Sequence, residues 1–274
     1  MTAVLRSPPM YTDLGAAEYE WAGRTAAAIG ALADREGSIA IVPVASIEQH
    51  GDHLPVATDS ILVDAVAHLG ADRVSEDVPV LVTPVVWMGY SPHHMSFGGT
   101  ITTEYRTLLT ILEDTADAVL DNGFDALVLL NGHGGNASLI ASATSTIGRE
   151  HPDVEVLGLT YFQLAQQFEA EIRDSDIGGM AHGGEFETAL MQYLRPELVG
   201  EGDAPYWDEP YALGGQDLLH GGPLSVYREF REYSDTGAIG DPSLATAEKG
   251  EQIHTLLGDA FEELLREVHS RNRD

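Results

Sequence analysis

The chain has 274 residues, 44 of them acidic and 14 basic, a formal charge of −30 and no cysteine. Such a surface repels nucleic acid and anionic membranes and suits a salt-rich, halophilic cytosol, while the missing thiols exclude disulfides, thiolate catalysis and cysteine-ligated zinc. No stretch approaches the roughly 20 apolar residues that span a bilayer, and residues 1–10 lack a secretory pattern, so a soluble, cytoplasmic, single-domain protein covering 1–274 is expected.

Short β-branched runs alternate with helical patterns, the appearance of βαβ units and a mainly parallel sheet. Residues 38–45 (SIAIVPVA) read as a buried strand, 59–69 as a helix capped by Thr58 or Asp59, and 78–86 as a second strand. After a Gly/Pro/His-rich loop, the spacing predicts a helix over 104–120 that stops at Asn122-Gly123, a third strand over 124–130 and a helix over 136–149. A fourth strand is expected at 154–160, helices at 185–194 and 246–269, and irregular Gly/Pro-rich chain over 200–245.

Polar chemistry concentrates where strands end, which is where open α/β sheets bind ligands. After the first strand come Glu48, Gln49, His50, Gly51, Asp52 and His53, then Thr58-Asp59. Glu48, His50 and Asp59 are donors suited to zinc, manganese or iron(II). After the third strand, Asn131-Gly132-His133-Gly134-Gly135-Asn136 opens a helix with neither a Gly-Lys-Ser/Thr element nor G-x-G-x-x-G spacing, which argues against a nucleotide loop. A third cluster, His182-Gly183-Gly184-Glu185-Phe186-Glu187-Thr188, holds two glutamates that lie about 200° apart on a helix. One of the two is expected at the site and the other in solvent.

These residues resemble the creatininase (creatinine amidohydrolase) family, which also contains formamide-type hydrolases of pyrimidine intermediates. The resemblance covers most of the chain, from E-Q-H-G-x-H-L-P-x-x-T-D through S-P-H-H-x-x-F-x-G-T-I and N-G-H-G-G-N to H-x-G-E-x-E-T. It implies a three-layer α/β/α sandwich with a mainly parallel sheet, two divalent metal ions per chain and a homohexamer. It also implies that Glu48 binds one metal, His50 and His133 the other, and that Asp59 bridges them. Creatininase has a carboxylate two residues after the histidine of its N-G-H motif, where this chain has Gly135. The fifth ligand is therefore assigned to Glu187, with Glu185 as substitute. Creatininase also encloses its flat substrate with tryptophans, whereas residues 176–181 here have no aromatic side chain, which points away from creatinine.

Two close cations lower the pKa of a bridging water and polarise a carbonyl, so a metal-dependent amidohydrolase cleaving a non-peptide C–N bond, a cyclic amide or formamide, through a metal-bridging hydroxide is expected. His182 is the candidate acid/base, with a helix-capping role as the alternative. The resemblance places the loop carrying Ser91, His93 and His94 at the pocket rim; Ser91, His94 and Gly134 are candidate substrate contacts, and His53 a candidate orienter of a ligand. No G-x-S-x-G elbow supports a serine hydrolase. A metal-stabilised binding or assembly protein is the non-catalytic alternative.

Overall fold

The structure, a computed structural model, describes residues 17–273. Its elements are α1 (Ala26–Ala33), β1 (Ile39–Val44), α2 (Thr58–Val74), β2 (Val80–Val82), α3 (Tyr105–Leu120), β3 (Ala126–Asn131), α4 (Ala137–Glu150), β4 (Glu155–Thr160), α5 (Glu169–Ile172), α6 (Glu185–Leu194), α7 (Phe230–Tyr233) and α8 (Ala247–Arg271). The strands form one parallel sheet in the order β2-β1-β3-β4.

Successive side chains of a strand point to opposite faces, and β1 and β3 are apolar at both. Ile39, Ile41, Ala126, Val128 and Leu130 pack with α2, α6 and α8, while Ala40, Val42, Val44, Leu127 and Leu129 pack with α1, α3 and α4. The result is an α/β/α sandwich, and the double burial explains why these strands read as continuous hydrophobic runs. From β1 the chain turns to β2 on one side, and from β3 it turns to β4 on the other. The carboxyl ends of β1 and β3 therefore flank the crevice at which such sheets bind ligands.

Several boundaries differ from those expected. The helix read at 59–69 runs on to Val74, because nothing from Gly70 to Arg73 breaks it. Its N-cap is Ala57, without a side-chain cap; Thr58 Oγ1 donates to Pro55 O at 2.7 Å instead, and Asp59 is turned toward the crevice. The strand read at 78–86 ends at Val82, since Pro84 offers no N–H, and the chain rejoins the sheet only at an isolated bridge from Val44 to Val86. Residues 200–245 do contain a short helix, α7, closed by a capping box between Glu229 and Glu232. Among the described residues no helix is long and apolar enough to cross a membrane.

Candidate metal centre

Four chain segments converge above the β1 and β3 ends. Glu48 and His50 leave β1 and are 1% and 0% exposed. Asp59 stands in the first turn of α2 and Glu187 in the first turn of α6. His133 follows β3, where the Asn131 side chain clasps its backbone: Nδ2 donates to His133 O at 2.7 Å and Oδ1 accepts from His133 N at 3.1 Å. Asn136 ties the loops together by donating to Ala45 O at 3.1 Å and accepting from Tyr90 N at 3.0 Å.

The proton positions on the two central histidines follow from their neighbours. His50 Nδ1 faces the carbonyl oxygen of Glu48 at 3.1 Å, and a carbonyl only accepts, so Nδ1 carries the hydrogen. The Nε2 lone pair is then left pointing at Asp59 Oδ1, 3.1 Å away, and toward Glu187 Oε1 at 3.8 Å. His133 is the mirror case: Nε2 faces Tyr90 O at 3.2 Å, so Nδ1 turns a lone pair toward Glu48 Oε2 at 3.1 Å and Asp59 Oδ2 at 3.3 Å. Lone pairs facing carboxylates in a buried site repel unless a cation lies between them. Consistent with this, Glu48 Oε2, His50 Nε2 and Asp59 Oδ2 are buried without a hydrogen-bond partner. Three overlapping donor sets result: Glu48/Asp59/His133 and His50/Asp59/Glu187, which share Asp59 through its two oxygens, and Glu48/His50/His182.

This partition corrects one expectation. His50 and His133 stand on opposite oxygens of Asp59 rather than at one cation, and His133 groups with Glu48. Sequence spacing carries no information on that choice, because the loop after β3 crosses α2 before presenting its ring.

A proton can substitute for the cation. Burial disfavours charge on both imidazoles, yet Asp59 and Glu187 lift His50 well above its ordinary value, and Glu48 and Asp59 lift His133 to about 10. Burial likewise opposes ionisation of Asp59, and His50 and His133 overcome it, holding the carboxyl below its ordinary value. The neighbouring carboxylates thus favour a proton on each ring where a metal would otherwise sit, and that proton competes with a metal for the same nitrogen. Zinc titrated into lightly buffered apo-protein should release protons, and apparent affinity should fall as pH falls. Release of none would show that these lone pairs do not receive the metal.

The surrounding side chains fix the donors. Gln49 Oε1 accepts from Gly51 N at 2.9 Å, which assigns the amide orientation, and its Nε2 donates to Gly237 O at 2.8 Å and His94 Nδ1 at 2.7 Å. His94 therefore carries its hydrogen on Nε2, directed at Glu48 Oε1 3.3 Å away, and burial with its histidine neighbours holds it neutral, well below its ordinary pKa. Ser91, expected at the substrate, is 0% exposed and bonds Ser46 Oγ at 2.7 Å and His133 Nε2 at 3.0 Å. It reaches the back of His133 and not the cavity. His53 Nε2 donates to Gly183 O at 2.9 Å and lies 3.1 Å from Thr188 Oγ1. It thereby secures the turn at Gly183, whose φ of +67° favours glycine and whose N–H donates to Glu187 Oε2 at 2.7 Å.

The two glutamates of α6 do diverge, but Glu185 is not solvated. It is 0% exposed, accepts from the backbone N–H groups of Asp174 and Ser175 at 3.0 and 3.1 Å, and pairs with Lys249. Gly135 leaves no room for a carboxylate after His133: a Cβ there would lie 2.3 Å from His133 Nε2 and 2.9 Å from Tyr90 O.

His182 closes the site from above. Its Nε2 donates to Gln49 O at 2.7 Å, so Nδ1 keeps a lone pair, 3.7 Å from Glu48 Oε1. Burial and His50, whose ring centre is 4.1 Å away, hold it neutral, well below its ordinary value. His93, His94, Gly134 and His182 line a cavity of about 690 Å³ that opens from the donor sets toward residues 215–230. Burial, with His133 next, holds His93 at about 4. Phe230 stacks on His94 at 3.9 Å, and neither it nor Gln49 was singled out from sequence. Phe230 lies in chain that reads as irregular; Gln49 sits inside the first motif, where that position was the available signal.

The chain is thus a parallel α/β/α sandwich with adjoining carboxylate–imidazole sets, candidate metal ligands, at its strand ends. The chain belongs to the creatininase family: the family's sequence pattern, described as creatinine amidohydrolase, matches residues 22–265. It is 30% identical over 231 residues to the mycofactocin precursor peptide peptidase of Mycobacterium tuberculosis, covering 80% of this chain and 81% of that protein. It is 28% identical over 243 residues to the creatinine amidohydrolase of Pseudomonas putida, covering 84% and 89%. The crystal structure of a creatinine amidohydrolase superposes with a TM-score of 0.79 at 25% identity, covering 91% of this chain and 97% of that one, and related creatininase structures include zinc and manganese forms.

Proposed function

We propose that the chain is a binuclear metal-dependent amidohydrolase that cleaves a carbon–nitrogen bond outside a peptide backbone, in a cyclic amide or formamide. The observation that carries this reading is the pair of imidazole nitrogens, His50 Nε2 and His133 Nδ1, aimed at opposite oxygens of Asp59. Glu48, Asp59 and His133 would hold one cation and His50, Asp59 and Glu187 the other. When bound, such a pair supplies Lewis acidity at a carbonyl and lowers the pKa of water.

The chain's own groups supply the rest. His182 Nδ1 is neutral and free to accept a proton, while Nε2–H is tied to Gln49 O, so the imidazole can take a proton from water and deliver it to the departing nitrogen. Gln49 fixes the His94 tautomer, and His94 in turn holds Glu48 in place. Phe230 stacks on His94 in the cavity wall. His182→Ala should retain both metals and slow turnover by about 10²–10⁴-fold, the usual weight of acid/base catalysis. If metal content falls as well, His182 is a ligand and not a proton carrier.

A second reading, hydrolysis of a peptide C–N bond, is favoured by the mycobacterial relative and by a cavity that exceeds the needs of a single small ring. The test is one panel of cyclic amides, formamides and short peptides, offered to the zinc- and manganese-loaded chain. Turnover should vanish on chelation and return with metal. Absence of any C–N cleavage would sink both readings, and cleavage confined to peptides would select the second.

A further inference from the structure

Arg228 is the one arginine or lysine lining the cavity among the described residues, beside four histidines. The cavity otherwise presents Glu48, Asp59, Glu187 and Asp217, and Asp217 is already bound by Arg173 in two contacts of 2.8 and 3.0 Å. Arg228 is paired more loosely. Its approach to a carboxylate is a single Nη1–Oε2 contact of 3.5 Å to Glu209. Glu209 is held elsewhere, accepting from Trp207 Nε1 and from Tyr211 N at 3.2 Å each.

The Tyr233 side chain also hydrogen-bonds the guanidinium, and the rest of its surroundings are aromatic. The guanidinium carbon lies 5.5, 5.7 and 5.9 Å from the ring centres of Trp207, Tyr211 and Tyr233. Ring faces stabilise the cation and fix its plane but accept little from its N–H groups. The fork is therefore oriented, with donors to spare, at the edge of a cavity whose far end holds the donor sets. Between them run Tyr233 and Phe230, 5.3 Å apart, and then His94. A ligand reaching from Arg228 to the metal end lies along two aromatic rings.

We infer that Arg228 is a specificity-determining residue that receives a carboxylate of the substrate, so that the amide hydrolysed here is an extended one carrying an acid group two ring widths from the scissile bond. An N-acyl amino acid or the C-terminal end of a peptide has that chemistry. The inference rests on the hydrolytic reading of the donor sets, which place the scissile bond, and within it favours a linear amide, a formamide or a peptide, over a cyclic one. In a chain of net charge −30, an acidic substrate is otherwise repelled, which makes a dedicated cation in the cavity the feature that selects it.

The test uses N-acyl amino acids and short peptides made in pairs, as free acid and as C-terminal carboxamide. Binding to the zinc-loaded full-length chain is measured by calorimetry, and cleavage by product analysis. A bidentate charge-assisted pair should favour the acid by about 10- to 100-fold, Arg228→Met should bring the acid-to-amide ratio close to one, and Arg228→Lys should restore part of it. Equal binding of acid and amide, or a preference that survives Arg228→Met because metal holds the carboxylate, overturns the inference. An Arg228-dependent preference without cleavage of any bound compound leaves the subsite standing and overturns the hydrolytic reading.

Discussion

Asp59→Asn should abolish both metal binding and turnover. The substitution keeps the shape of the side chain but removes the charge that two of the donor sets share, and one face of the amide becomes an N–H donor. The asymmetry matters, because His50 and His133 each need a carboxylate oxygen on their own side. Losing a shared carboxylate costs several kcal/mol of charge stabilisation, so activity should drop by about 10³-fold or more. Metal content of the purified variant and its rate on any substrate the panel yields check this together. Full activity in a metal-depleted Asp59→Asn protein would end the binuclear reading, and two tightly held metals with full activity would end the assignment of Asp59 as the shared ligand. The same stoichiometry measurement separates the α6 glutamates: Glu187→Gln should empty the His50 set, and Glu185→Gln should leave two metals per chain.

Lys249→Met should be strongly destabilising although it lies away from the site. Lys249 is the only lysine, and its Nζ contacts Glu185, Asp174 Oδ2 at 2.7 Å and Leu244 O at 3.0 Å. Removing it leaves the Glu185 carboxylate fully buried with only two backbone donors. Breaking a buried pair from one side costs about 3–5 kcal/mol, whereas neutralising both partners costs much less. The denaturation midpoint of Lys249→Met should therefore fall steeply, and adding Glu185→Gln should recover part of the loss. A single variant as stable as the wild type would show that the pair does not hold α8 to α6.

What could be read from sequence follows from how local each signal was. The strands ending at Val44 and Asn131 were legible because both faces are buried, and α6 was legible to the residue because Pro196 lies just beyond its end. Glu48, His50, Asp59, His133 and Glu187 were legible as a set from motif resemblance, and the structure brings them within one site. The N-cap of α2 was misread since Asp59, a good cap by type, is turned to the crevice; functional placement overrides local preference there. The division of the histidines, the burial of Glu185 and the inward bonding of Ser91 all depend on partners far along the chain, Lys249 for Glu185 and His133 for Ser91. No local pattern encodes such pairings. Helix α1 was missed because its alanine-rich run lacks a strong apolar period, although Thr25 caps it by accepting from Ala28 N at 3.3 Å.

The closed space beside Gly135 has a consequence for how the molecule responds to its ion. With no carboxylate after His133, the Glu187 donor comes from α6, and two residues earlier the same helix is fastened to α8 through Glu185 and Lys249. Occupation of the His50 set and docking of the 25-residue terminal helix are therefore thermodynamically linked through one short rigid element, since whatever binds the native arrangement stabilises all that the arrangement requires. Backbone amides of α8, on the α6 side of the sheet, should become more protected against solvent exchange when a divalent cation is added, while those of α3 and α4 on the opposite face change less.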